Sequence, residues 1–222
     1  MSLILQIETS STVCSVSLAQ DGVFLAGEES VENNSHARML TTLIDRLLAT
    51  TGNSMKQLDA IAVSAGPGSY TGLRIGVSTA KGLCFGLKKP LIAVSTLAAL
   101  AYGIKENIYE NESLLMPVID AGRNEIYTAL YLYNEEEIWA PAPVLLDENL
   151  RNRLDGLGKI TMGGNAVNKC KAFFKEETIN FSENVLFNSK LMTTIAYRKH
   201  LTLAYEDPAY FEPHYLKNNY VK

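Results

Sequence analysis

Four small-residue turns hold most of the groups in this sequence that are placed to do chemistry. Gly66-Pro67-Gly68-Ser69 lies between the apolar run 59–65 and a helical stretch that reaches Leu87. Pro fixes one φ angle, the flanking glycines supply backbone freedom, and Ser69 can cap a helix by accepting from amides one turn on. Strand, tight turn and helix in that order expose free amides, which attract anions. The turn is not a P-loop, because Lys81 comes too late. It is not the dinucleotide fingerprint either, because Thr71 stands where the third glycine belongs. Glu8-Thr9-Ser10 and Asp120-Ala121-Gly122 each place an acid at a strand end ahead of a small-residue turn, where the plain role of the acid is to cap that turn. Gly163-Gly164-Asn165 is a further strand-to-helix turn. The 3 cysteines, Cys14, Cys84 and Cys170, form no CxxC pair and are expected as reduced, buried thiols. The 3 histidines, His36, His200 and His214, share no metal-ligand spacing, so no metal site is expected.

The helix behind Ser69 carries Gly72, Gly76 and Ala80 at every fourth position, with Gly82 and Gly86 on a neighbouring face. Each interior glycine costs about 0.8–1.0 kcal/mol relative to alanine. Such a cost implies close approach to this backbone, by the protein's own sheet, by a partner, or by both on different sides.

The elements around these turns read as an α/β chain. LILQIE, VCSVSLA and VFLAGEE form an N-terminal meander with an Asp21-Gly22 hairpin signal. Asn34 or Ser35 can cap a helix over 36–51, whose Leu40, Leu43, Ile44, Leu47 and Leu48 mark one buried face, with Gly52 as its stop. A strand at 91–94 and a helix from Ser95 to Ile104 follow, and the polar stretch 106–113 reads as a linker. LLMPVIDAGRNEIYTALYLY then gives strand, turn and strand. Beyond it lie a further strand at EIWAP, a short helix at 147–155, a strand and helix around KITMGGNAV, and a late helix over 189–205. The Pro- and aromatic-rich tail is expected along the surface. The two halves echo each other, which predicts a duplicated unit, with domains at 1–105 and 106–222. At 222 residues and 47% apolar there is ample core, and a net charge of −4 makes the chain a poor stand-alone binder of nucleic acid. No apolar run is long enough to cross a membrane, and no signal segment precedes the first strand, so a cytoplasmic protein is expected.

Gly66-Pro67-Gly68-Ser69-Tyr70-Thr71-Gly72-Leu73-Arg74-Ile75-Gly76 resembles the signature of the TsaB (YeaZ) family. The resemblance extends through Thr9-Ser10, Val94-Ser95-Thr96-Leu97, Ile119-Asp120-Ala121, Glu125-Ile126-Tyr127 and Tyr215-Leu216-Lys217-Asn218, nearly the full length. It implies an actin-like ATPase fold, of the sugar-kinase and Hsp70 type, with two RNase H-like domains and a cleft between them. It implies a non-catalytic role in forming N6-threonylcarbamoyladenosine at position 37 of tRNAs that read ANN codons. The implied partners are a catalytic TsaD-type subunit and a TsaE-type ATPase, with tRNA reached through the complex and self-pairing as a homodimer in isolation. No cofactor is implied.

The residues bear on that role. The paralogue holds metal partly with a His-x-x-x-His pair, and the matching positions here are Thr96 and Leu100, which cannot replace two imidazoles. The fold's kinases use acids on the first strands of both domains to hold Mg²⁺ and phosphates. The resemblance therefore points to Glu8, Asp120, Gly163 and Gly164 as a residual nucleotide site. It places the partner surface on the first two helices: Met39, Leu40, Leu43 and Leu47 on one, Tyr70, Gly72, Leu73, Arg74, Gly76, Val77, Ala80 and Lys81 on the other. The competing readings are ordinary core for those residues, and for the whole chain an autonomous ATPase or a metal-dependent peptidase.

Overall fold

The computed structural model describes residues 1–31, 36–108, 113–175 and 177–217. The helix caps expected at Asn34 or Ser35, the middle of the 106–113 linker and Asn218 of the closing run lie outside those residues. The strands are β1 (Leu3–Glu8), β2 (Cys14–Gln20), β3 (Val23–Ser30), β4 (Ala60–Gly66), β5 (Leu91–Ser95), β6 (Leu114–Asp120), β7 (Glu125–Tyr131), β8 (Glu137–Leu145), β9 (Ile160–Gly163) and β10 (Ile179–Ser182). The helices are α1 (His36–Thr51), α2 (Tyr70–Leu87), α3 (Thr96–Glu106), α4 (Glu148–Leu154), α5 (Val167–Phe173) and α6 (Thr193–Leu201), with single-turn 3-10 helices at Met55–Gln57 and Ser189–Met192.

Two five-stranded sheets result, ordered β3-β2-β1-β4-β5 and β10-β9-β6-β7-β8. In the first, β1 pairs antiparallel with β2 and parallel with β4. In the second, β6 pairs antiparallel with β7 and parallel with β9. Each sheet is thus a hairpin meander followed by two parallel strands, with helices inserted at the same points. The duplication expected from the weak sequence echo is present at the level of topology. The meander turns through Asp21 at φ 49° and Gly22 at φ 78°, the left-handed pair that a two-residue hairpin requires. All six residues of β1 are buried, as befits a central strand covered on both faces.

The chain divides into two compact units, Met1–Thr96 with Phe187–His214, and Leu97–Leu186 with Tyr215–Lys222. Two continuous domains meeting at 105/106 are therefore not what forms, because each repeat gives its third helix to the other unit. In the first unit, α6 packs on β5, where Lys199 Nζ donates to Ala93 O at 2.8 Å and Glu206 N–H to Leu91 O at 2.9 Å. In the second, Ile104 of α3 abuts Gly163, and Lys105 Nζ pairs with Glu135 at 2.6 Å. Strand β10 had no expectation attached to it: of its four residues only Ile179 is buried, so it carries little apolar pattern. The late helix is shorter than 189–205, its start being the 3-10 turn and its end falling at Leu201.

Candidate functional site

The signature turn begins where β4 ends at Gly66, with a cis peptide to Pro67. Ser69 Oγ accepts the Gly72 N–H at 3.2 Å and caps α2 as its sequence position predicts. The amides and backbone there are used by the chain itself. Ser69 N–H donates to Ser10 O at 2.6 Å. A Cβ on Gly72 would overlap the Thr9 carbonyl oxygen, and one on Gly76 would overlap Thr9 Oγ1. Gly66 has φ 107°, and a Cβ there would lie 2.8 Å from His214 O, whose own N–H donates to Ala65 O at 2.7 Å. The signature glycines thus let α2 and the tail close onto the β1–β2 turn and the end of β4.

That closeness corrects the expected partner surface. Leu40, Leu43, Leu47, Leu73, Val77 and Ala80 are each at most 4% exposed, Gly72 and Gly76 are buried, and Met39 is half-buried. All of these apolar side chains except Leu73 lie in the core of the first unit or against it. They face the sheet, because the stripe at i, i+3, i+4 is the face a helix gives to its own core. Lys81, expected on the partner surface, donates to Ala209 O at 3.3 Å and Phe211 O at 2.9 Å of the tail.

The outward side of α2 is different. Tyr70 carries the Arg74 guanidinium 4.0 Å over its ring. Beyond them Ser78, Gly82, Phe85 and Gly86 are exposed, Phe85 to 86%. A Cβ at Gly82 or Gly86 would meet nothing within 4 Å among the described residues. Among the described residues these two glycines pay the helix-propensity cost with no packing reason, and they flank an exposed aromatic ring. Sequence reasoning did not single out Phe85. The signal was the buried series 73, 77, 80, 84, which leaves 78, 82 and 85 on the opposite side of a 3.6-residue helix.

The expected nucleotide residues are each engaged locally. Glu8 is 2% exposed. It accepts the Ser10 N–H at 2.5 Å, and burial pushes its carboxyl up from the ordinary value against the pull of its Ser10 and Ser64 hydrogen bonds. In the second unit Asp120 accepts the Gly122 N–H at 2.8 Å and pairs with Lys169. Partial desolvation pushes that carboxyl up, but the Lys169 bond, the Gly122 amide and the Lys169 and Lys217 charges together hold it below the usual range. Lys217 also pairs with Glu125 and donates to Ala121 O at 2.8 Å. A Cβ on Gly163 would lie 2.6 Å from Ile104 and 3.3 Å from Val185, and one on Gly164, at φ 127°, would overlap the Val118 carbonyl oxygen. Thr96 and Leu100, at the positions of the paralogue's histidines, are both 1% exposed. Among the described residues no three His, Cys, Asp or Glu side chains converge as a metal set. The three thiols are buried, and burial pushes Cys14 up to about 11 and Cys84 and Cys170 to about 12.

The model of the family described as TsaD, tRNA N6-adenosine threonylcarbamoyltransferase, matches residues 30–220. The tRNA threonylcarbamoyladenosine biosynthesis protein TsaB of Escherichia coli is 37% identical over 136 residues, 61% of this chain and 58% of that one. The TsaB of Haemophilus influenzae is 29% identical over 97% of this chain and 93% of its own length. The chain belongs to the TsaB (YeaZ) branch of this family. YeaZ from Pseudomonas aeruginosa superposes with a TM-score of 0.82 at 27% identity, over 97% of this chain and 100% of that one. An ADPNP-bound dehydratase activator from Clostridium difficile matches at a TM-score of 0.53 and 10% identity, which shows the shared actin-like ATPase fold alone. Relatives named as the transferase itself also align, one from Chlamydia caviae at 29% identity over 73% of this chain and 48% of its own length. TsaB-type and transferase chains are thus related in sequence, so a transferase carries a counterpart of much of this fold.

Proposed function

We propose that the chain is a non-catalytic scaffold and activating subunit for N6-threonylcarbamoyladenosine formation at position 37 of ANN-decoding tRNAs. It pairs with a TsaD-type transferase through the outward sides of α1 and α2, and a TsaE-type ATPase joins the pair. tRNA is met through the complex, and without the transferase the same surface pairs with a second copy, which needs only a self-complementary patch.

The observation that carries this reading is the outward side of α2, where Gly82 and Gly86 leave open recesses on either side of the exposed Phe85. The inward glycines of the same helix have Thr9 to accommodate, whereas these two have only a visitor to accommodate. An uncharged centre with an aromatic knob is the composition of an interface core. The engagement of Glu8 by Ser10 and of Asp120 by Lys169 supports the non-catalytic half, since carboxylates already satisfied by the chain are poor phosphate-metal ligands. No helix among the described residues is long and apolar enough to cross a membrane.

The test is reconstitution of tRNA modification from purified transferase, ATPase and this chain, followed by omission of each. Loss of product on omitting this chain, with no ATP turnover or peptide cleavage by the chain alone, is expected. Product formed at an undiminished rate without it overturns the reading, and ATP hydrolysis by the isolated chain returns it to the autonomous ATPase class.

A further inference from the structure

We propose that the partner surface extends beyond the helices onto the C-terminal tail, and that Tyr210 is a second aromatic anchor that a TsaD-type transferase engages together with Phe85. This rests on the partner reading above and names its extent.

Tyr210 is 84% exposed, yet the backbone on both sides of it is fixed. Lys81 Nζ donates to the carbonyls of its two neighbours, Ala209 at 3.3 Å and Phe211 at 2.9 Å. Phe211 is 7% exposed and belongs to the core of the first unit. Asp207 holds the other end, its side chain accepting the Ala209 N–H at 2.8 Å and its carbonyl the Tyr210 N–H at 3.2 Å. An aromatic ring on a backbone already ordered binds without a further backbone-ordering cost, and such rings dominate interface energetics. Lys81 lies four residues before Phe85, on the same side of α2, so its clasp brings the tail to that flank. The clasp turns Lys81 toward the tail, and the exposed positions Ser78, Gly82, Phe85 and Gly86 carry no ionisable group.

Area argues the same way. Helices of 16 and 18 residues are about 24 and 27 Å long at 1.5 Å per residue. Laid side by side, each taking about 9 Å of width, the pair presents roughly 500 Å². A stable interface takes about 800 Å² from each partner. A tail segment with an exposed tyrosine, which buries about 150–250 Å² when covered, supplies much of the difference. The partner face that fits is an uncharged helix able to approach Gly82 and Gly86, with an apolar recess for each ring.

The experiment measures the affinity of the full chain for purified TsaD-type transferase from the same organism by calorimetry. The variants are Phe85→Ser, Tyr210→Ser and Lys81→Met, with Asn152→Ala on the exposed side of α4, away from the proposed surface, as a control. Phe85→Ser and Tyr210→Ser are each expected to weaken binding by about tenfold or more, and Lys81→Met by severalfold. Phe85→Ser and Tyr210→Ser are expected to unfold at the wild-type temperature and Lys81→Met slightly below it, since it loses two hydrogen bonds to the tail. If Phe85→Ser weakens binding while Tyr210→Ser and Lys81→Met do not, the surface ends at the helices and this inference is overturned, though the partner reading stands. If the wild-type chain does not bind the transferase, that reading and this one fall together. A self-association that Tyr210→Ser abolishes would then assign the surface to a second copy.

Discussion

Replacing Gly72 and, separately, Gly82 by alanine makes the same chemical change twice on one helix, ten positions apart, and the two are expected to have opposite effects. In isolation each substitution gains the propensity difference, about 0.8–1.0 kcal/mol. At Gly82 the added methyl meets no atom of the described residues within 4 Å, so the gain is kept. For a chain of this size that raises the melting temperature by about 2–4 °C. At Gly72 the methyl overlaps the Thr9 carbonyl. That oxygen belongs to a turn pinned by Ser69 N–H to Ser10 O at 2.6 Å and Thr9 N–H to Ser64 Oγ at 3.3 Å, so it cannot easily withdraw. Overpacking of this kind costs about 1–3 kcal/mol, which cancels or exceeds the gain. Urea unfolding should therefore separate the two variants by about 1–3 kcal/mol, with Gly82→Ala above the wild type. Gly76→Ala tests the same seat through a side chain. It meets Thr9 Oγ1, a hydroxyl without a hydrogen-bond partner among the described residues. Its effect and that of Thr9→Ala should be non-additive, because the second removes the atom with which the first collides. Equal stability for Gly72→Ala and Gly82→Ala would refute the reasoning. So would a Gly82→Ala chain that gains stability but keeps full affinity for the transferase, since the open recess would then serve nothing.

Glu8→Gln addresses the buried carboxyl. Its folded pKa lies above the ordinary 4.5, so folding favours the protonated form, and the wild type loses stability as pH rises from 4.5 through the raised value. The variant should match or exceed the wild type at pH 8, with the gap closing as pH falls, and a gap constant with pH in chemical denaturation would count against it. Asp120 has the opposite sign: its depressed pKa contributes stability above 3.8 that is lost as pH falls through the folded value. The pair with Lys169 is partly exposed, side chains 48% and 23%, so Lys169→Ala should cost at most about 1 kcal/mol at pH 7 and less at pH 3. Cys84 and Cys170, at about 12, and Cys14, at about 11, stay protonated at neutral pH. A thiol reagent should label the native protein slowly and the denatured protein at all three sites.

Much of the architecture was legible in the sequence, because local patterns determine local structure. The helix over 36–51 follows from its apolar spacing and Gly52 stop, and Ser69 caps α2 as its type and position require. What the pattern could not convey is which body an apolar stripe faces. Leu43 and Val77 would have the same spacing on a partner surface as in a core, and only the position of the sheet shows that they are core. The exchange of α3 and α6 between the repeats was hidden for the same reason, since a helix's periodicity names a buried face and not its neighbour. Phe85 was hidden by its type, an aromatic that a reader assigns to the interior until Gly82 and Gly86 beside it prove to have open space.

The duplication gives the chain two equivalent turns after the first strand of each repeat, and their different fates bear on what the molecule became. At the first, the acid turns inward and is spent on Ser10, while Thr9 and Ser10 become the seat of α2. At the second, the acid remains half exposed but is neutralised by Lys169, with Lys217 on the neighbouring Glu125. The first acid is held by burial and a backbone hydrogen bond, the second by an opposite charge. In both turns the acid serves the fold. A helix seated so firmly on one side can present its other side as a rigid surface. Loosening the seat should therefore weaken partner binding at a distance. Thr9→Ala, which removes the methyl and hydroxyl beneath Gly76 but touches no exposed residue, should raise hydrogen exchange along α2 and lower transferase affinity together. A variant that loosens the helix with affinity unchanged would show that the outward face does not depend on its seat.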